Sequence, residues 1–105
     1  EKSWGSFRVL DVEDESLTIK ITLNAGHGMN YHSHENRDEV WTIISGTGHA
    51  ILDGVRRDVK AGDILTMPAG CRHTVFADSE LKIIEVQLGP AISVEDKQKY
   101  PLPQA

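Results

Sequence analysis

Four residues of this chain have the types and spacing of a metal site: His32, His34, Glu39 and His73. Two histidines two positions apart leave the same face of a strand, so both imidazoles can reach one ion. Glu39 has the wrong parity to join them on a continuous strand. It arrives only if a bulge or turn through Glu35, Asn36, Arg37 and Asp38 intervenes, and those polar residues suit a turn. His73 lies far along the chain, just past Pro68-Ala69-Gly70, and a distant strand closing a barrel would bring it in. Three neutral imidazoles and one carboxylate suit one borderline divalent ion, Zn, Mn, Fe, Co or Ni, with a position or two left for water or substrate. Without Glu39 and His73, the His32 and His34 pair would read as ordinary strand histidines.

The elements that position these residues are short strands. Turn signals recur every few residues between runs of Ile, Val, Leu and Thr, and long helical periodicity is missing, the pattern of an all-β sandwich or barrel. Leu17 to Leu23 alternates Leu17, Ile19, Ile21 and Leu23 with Thr18, Lys20 and Thr22, a half-buried strand. Val40 to Ile44 is apolar on both faces and runs into Ser45-Gly46-Thr47-Gly48, read as a hairpin turn returning into His49 to Leu52. Asp53-Gly54 is a second, tight hairpin turn of the type that needs positive φ at both central residues. Ile64 to Met67, His73 to Phe76 and Leu81 to Leu88 follow between Gly, Pro, Asp and Ser punctuation, for about eight strands or more. In the tail, Ser93 and Asp96 have capping-box spacing, which predicts one or two helical turns stopped by Pro101.

Composition narrows the function classes. The 105 residues, 39% hydrophobic and 26% charged, predict one soluble domain able to bury a core. A net charge of -5, with Arg56-Arg57 the only adjacent basic pair, argues against nucleic-acid binding. The acidic cluster Asp11, Glu13, Asp14, Glu15 reads as a solvated loop. The single Cys71 cannot form an intramolecular disulfide and suggests a reducing compartment, so a cytoplasmic location is expected. No apolar run has the length of a membrane helix, roughly 18 residues, and no membrane partner is expected. The chain opens on Glu1 rather than Met, as a fragment or one domain of a longer polypeptide does.

These residues resemble the cupin superfamily over most of the chain. Gly26, His32, His34, Glu39 and Gly46 stand at the spacings of the first cupin motif, and Gly62, Pro68, Gly70 and His73 at those of the second, where Ala77 replaces a final Asn. The resemblance implies an all-β fold, a single-domain double-stranded β-helix or small jelly-roll barrel over residues 1–105, with a short N-terminal strand extension and a tail from about residue 90. It also implies that His32, His34, Glu39 and His73 hold the ion inside the barrel. A narrower resemblance runs through Trp4-Gly5-Ser6-Phe7, the stretch from Arg37 to Thr47, the turn before His73, and Ile84-Glu85-Val86-Gln87-Leu88-Gly89. These look like the type II mannose-6-phosphate isomerase domain, found alone or at the C-terminal end of mannose-1-phosphate guanylyltransferases. The chain departs from that family at His32, where Gln is usual, at Val40, where His is usual, and in its tail.

The isomerase resemblance implies a metal-assisted proton transfer between the first two carbons of a sugar phosphate. Arg37, retained from the family signature, is the candidate for a phosphate or sugar contact. His49 is the candidate base, on the expectation that it faces the lumen. Non-catalytic binding of a sugar or other small ligand, a regulatory module, and another metal-dependent enzyme such as a dioxygenase are the alternatives. A homodimer through edge strands is expected. His27 reads as a surface residue, Cys71 as a small filler and Arg72 as outward-facing. Trp41 either lines a pocket or fills barrel volume, and Trp4 either covers a barrel edge or packs across a dimer.

Overall fold

The computed structural model describes residues 2–93 and 95–103. Ten strands run in chain order: β1 (Gly5–Val12), β2 (Ser16–Leu23), β3 (Tyr31–Ser33), β4 (Asp38–Ser45), β5 (Thr47–Leu52), β6 (Val55–Lys60), β7 (Ile64–Met67), β8 (His73–Ala77), β9 (Leu81–Leu88) and β10 (Gln98–Tyr100). They form two five-stranded antiparallel sheets, in the orders β1-β2-β9-β4-β7 and β10-β3-β8-β5-β6. Among the described residues only β1-β2 and β5-β6 are hairpins of sequence neighbours; every other link between the strands carries the chain from one sheet to the other. That alternation is what lets residues from distant segments face each other across the interior.

The alternating patterns fold as read. Along β2, Ile19, Ile21 and Leu23 are buried and the residues between them are less so. Asp53 (φ 48°) and Gly54 (φ 83°) make the β5-β6 turn with positive φ at both positions. The core joins both sheets: Trp41, Ile43, Leu65, Met67, Leu81 and Ile83 from one, Ala50, Val59, Val75 and Ala77 from the other. Trp41 is completely buried and fills barrel volume. Cys71 belongs to the same cluster, and burial pushes its thiol up to about 11, so it is a filler without thiolate character.

Two expectations are corrected. Ser45 to Gly48 is no hairpin turn, because β4 already has β9 on one side and β7 on the other and has no free edge for β5. The chain crosses instead to the opposite sheet at Gly46. The described residues of the tail form no helix either. Ser93 and Asp96 do not cap a helix; the Asp96 carboxylate accepts from the backbone N–H groups of Glu35 (2.9 Å) and Asn36 (2.8 Å), and the chain continues into β10, beside β3. Long-range partners took the Asp96 carboxylate, while the Ser93 hydroxyl only accepts locally from the Glu95 N–H (3.2 Å). Val94 lies outside the described residues.

The edges differ in chemistry. At β6 only Val59 is buried, and Arg56, Arg57, Asp58 and Lys60 are exposed, a charged edge that resists pairing. At β1, Phe7, Val9, Leu10 and Val12 are all exposed.

Two of the motif glycines at sheet crossings, Gly46 and Gly62, serve different needs. A Cβ on Gly46 (φ 94°) would lie 2.0 Å from the Glu80 carbonyl oxygen, whereas one on Gly62 (φ 92°) meets nothing within 4 Å. Gly62→Ala should therefore cost about 1–2 kcal/mol from its left-handed backbone alone, and Gly46→Ala about 1–3 kcal/mol more from the clash. Denaturant unfolding of the two variants checks this, and equal losses would contradict it.

Candidate metal centre

His32 on β3 and His73 on β8 are directly paired neighbours in one sheet, and His34 follows just past the end of β3. Glu39 comes from β4 in the opposite sheet. The turn at 34–37 supplies the change of parity that the sequence required, by carrying the chain across the barrel. All four side chains are buried, and one ligand atom from each lies within 4.8 Å of the others.

The proton positions on the three rings follow from their partners. His32 Nδ1 is 2.6 Å from the Asn30 carbonyl oxygen, His34 Nδ1 is 2.6 Å from that of Asp96, and His73 Nδ1 is 2.9 Å from that of Cys71. A carbonyl only accepts, so each Nδ1 carries the proton and each neutral ring presents an Nε2 lone pair to the interior. The Arg37 guanidinium, which only donates, lies with Nη2 3.2 Å from His34 Nε2, in agreement. His34 Nε2 and His73 Nε2 stand 3.1 and 3.3 Å from the Glu39 carboxylate oxygens. Glu39 Oε1 and His73 Nε2 are both buried without a hydrogen-bond partner. Arg37 brings positive charge to Glu39 Oε2 and His34 Nε2, but Glu39 Oε1 and His73 Nε2 face each other as buried acceptors with none between them, so the donor set fits a divalent ion.

Titration agrees with that reading. Burial, with the neighbouring His73, pushes His32 down to about 3, so its ring is unprotonated and ready to ligate at neutral pH. Burial raises the Glu39 carboxyl, and hydrogen bonds from protonated His34 and His73 outweigh this and hold it well below the usual carboxylate range, the part a divalent ion takes when the rings are neutral. Positive charge among these rings favours the Glu39 anion.

Arg37 is brought to the cluster as expected. Its Nε donates to Glu39 Oε2 (2.9 Å), its Nη1 to the Ser93 carbonyl (3.0 Å), and its Nη2 lies against His34 Nε2 (3.2 Å). His49 is not brought there, which corrects its assignment as base. On β5 the inward residue is Ala50; His49 pairs with exposed Phe76, stacks on it at 5.3 Å, and has Nδ1 3.8 Å from Asp78. Strand parity turns it to the outside of the barrel. His27 is exposed and takes no part. Arg72 points outward and lies 3.8 Å over the Tyr100 ring.

The cluster opens into a cavity of about 290 Å³ lined by His32, His34, Arg37 and Glu39, with Glu85, Lys97 and an apolar wall of Trp4, Phe7, Ile19, Ile21 and Met29. Trp4 thus packs against the core as part of this wall. Three contributors were missed in the sequence. Glu85 and Gln87 continue the inward parity of Leu81 and Ile83, and two polar residues at core positions were a readable signal. Ser93 and residues 95–97, a strap held against residues 34–37, had no local signal, because these contacts are made with residues some sixty positions away.

The cupin-domain family matches residues 19–87, more than half of the sequence. The chain is a cupin. Mannose-1-phosphate guanylyltransferase from Klebsiella pneumoniae is 24% identical over 97 residues, 90% of this chain but only 21% of the relative, so the chain spans about a fifth of that protein. An uncharacterized protein of Aquifex aeolicus (strain VF5) is 28% identical over 71 residues, 68% of this chain and 59% of the relative. Among solved structures, an uncharacterized Klebsiella pneumoniae protein with a double-stranded β-helix domain superposes with a TM-score of 0.83 at 18% identity, covering 96% of this chain and 88% of that one. Salicylate 1,2-dioxygenase from Pseudoaminobacter salicylatoxidans superposes with a TM-score of 0.78 at 14% identity, over 85% of this chain and 26% of that one. At these identities the structural likeness is one of fold. The sequence expectations of a cupin and of an all-β double-stranded β-helix hold.

The strap makes a measurable claim. Asp96→Ala removes the carboxylate that ties the strap to the turn before Glu39 while leaving the carbonyl that orients His34. It should weaken binding of a divalent ion by about 10-fold with little loss of melting temperature, as read by metal titration and thermal unfolding. Unchanged affinity would show that the strap does not hold the ligands.

Proposed function

We propose that this cupin is a metal-dependent sugar-phosphate isomerase of the mannose-6-phosphate/fructose-6-phosphate type. The observation that carries the reading is one cavity whose walls include His32, His34 and Glu39 of the four-residue cluster together with two cations, Arg37 and Lys97. Such a site suits a ligand with vicinal oxygens at one end and an anion at the other. A bound divalent ion would polarise the substrate carbonyl and hold the neighbouring hydroxyl oxygen. Lys97, with the Nη2 hydrogen of Arg37 that does not face His34, would take the phosphate, and Trp4 would offer its apolar face to the C–H side of a sugar ring. The similarity to mannose-1-phosphate guanylyltransferase over 90% of the chain supports the same reading.

A second reading has its own observation. The wall of Trp4, Phe7, Ile19, Ile21 and Met29 leaves few partners for sugar hydroxyls and favours a less polar small acid. Under that reading the protein binds such a ligand without turnover, or acts on it by other metal chemistry. A coupled assay for fructose 6-phosphate from mannose 6-phosphate, with Mn, Zn, Co, Ni or Fe added to chelator-treated protein, decides between them. Metal-dependent turnover is expected, lost in His34→Ala. One equivalent of bound metal with no turnover for any ion would give the place to the second reading.

The homodimer expected from edge logic has a place at β1, the edge strand that exposes Phe7, Val9, Leu10 and Val12, while β6 is guarded by charge. Sedimentation should give a dimer at micromolar concentration and a monomer for Leu10→Lys, and a monomeric parent protein would dismiss it.

A further inference from the structure

We infer that Glu85 is the group that moves the proton between substrate carbons in this cavity. The inference rests on the isomerase reading and supplies the base that His49 cannot be. Glu85 is the cavity carboxylate that is not among the four ligands. It sits on the inner face of β9, between Trp41 on β4 and Ile19 on β2. Its two oxygens are fixed separately: Trp41 Nε1 donates to Oε1 at 2.6 Å and Gln87 Nε2 to Oε2 at 2.7 Å.

Both donors are neutral, and Glu85 makes no ion pair among the described residues. A buried carboxylate without a cation is costly, and a glutamine could take the same two contacts if Gln87 turned its amide, whose oxygen has no partner now. Packing alone gives no reason for an acid here. Burial and the nearby Glu39 charge raise the Glu85 carboxyl above the ordinary range, which brings its basicity closer to that of a working base. The fixed hydrogen bonds leave each oxygen a second lone pair for a substrate hydrogen.

The step balances without a further reactant. The Glu85 carboxylate takes the proton from C2 of the aldose; the C–H electron pair becomes the C1–C2 double bond, and the carbonyl pair moves onto O1. Glu85 then returns the proton to C1, the hydroxyl proton of O2 passes to O1, and the ketose results. No oxidant or reductant is needed.

The test compares the parent protein with Glu85→Gln and Glu85→Asp in the presence of metal, reading turnover of mannose 6-phosphate, solvent deuterium entering recovered substrate and product, and metal stoichiometry by titration. Glu85→Gln should still bind one equivalent of metal, lose about 10²–10⁴-fold in kcat with little change in KM, and incorporate no deuterium. Glu85→Asp, with a carboxylate one methylene shorter, should regain part of both. Retention of kcat within a few-fold in Glu85→Gln overturns the assignment and leaves the isomerase standing. Loss of metal in both variants without any deuterium exchange assigns Glu85 a structural role and also overturns it. Neither turnover nor exchange in the parent overturns the isomerase reading and the base together.

Discussion

Three imidazole nitrogens and a carboxylate, each presenting lone pairs, are packed within 4.8 Å of one another inside the barrel. Such a set is unfavourable in a low-dielectric interior unless positive charge joins it, and it holds its shape only if each ring is fixed from behind. The structure supplies that backing with three backbone carbonyls, from Asn30, Cys71 and Asp96, each on a different loop. The positions of those loops, and so much of the topology, serve to aim the Nε2 atoms at one point.

The alternation of the chain between sheets explains how so short a sequence builds the site. β3 and β8 lie side by side and bring His32 beside His73, whereas β4 faces them from the other sheet and brings Glu39. A meander of local hairpins would have kept Glu39 on the same sheet, with its side chain on the wrong face. The core of Trp41, Ile43, Leu81 and Ile83 packs immediately beneath, and the transition from apolar to polar along the inward face of β9, at Glu85 and Gln87, marks where packing ends and the cavity begins.

Much of this was legible in the sequence. The strands Ile64–Met67 and Leu81–Leu88 begin and end where the pattern and the flanking Gly, Asp and Ser place them, because period-two alternation and turn chemistry are local properties. The ligand set was legible because four residues at family spacings leave little freedom. The readings that failed are those in which a local signal met a distant competitor. Ser45 to Gly48 has hairpin chemistry, but both edges of β4 are taken by strands that come later in the chain. Ser93 and Asp96 have capping chemistry, but the backbone N–H groups of Glu35 and Asn36 claim the carboxylate.

The sequence by itself determined the cupin identity, the all-β character, and the four groups able to ligate a metal, since residue type, alternation and spacing suffice for each. Only the tertiary structure decided which nitrogen of each histidine faces the ion, that His49 lies outside and Glu85 inside, and that Ser93 and Asp96 bind the turn at 34–37. Those outcomes depend on which segments lie side by side across the barrel. Such contacts form between residues far apart in the chain, and no local pattern encodes a partner that distant.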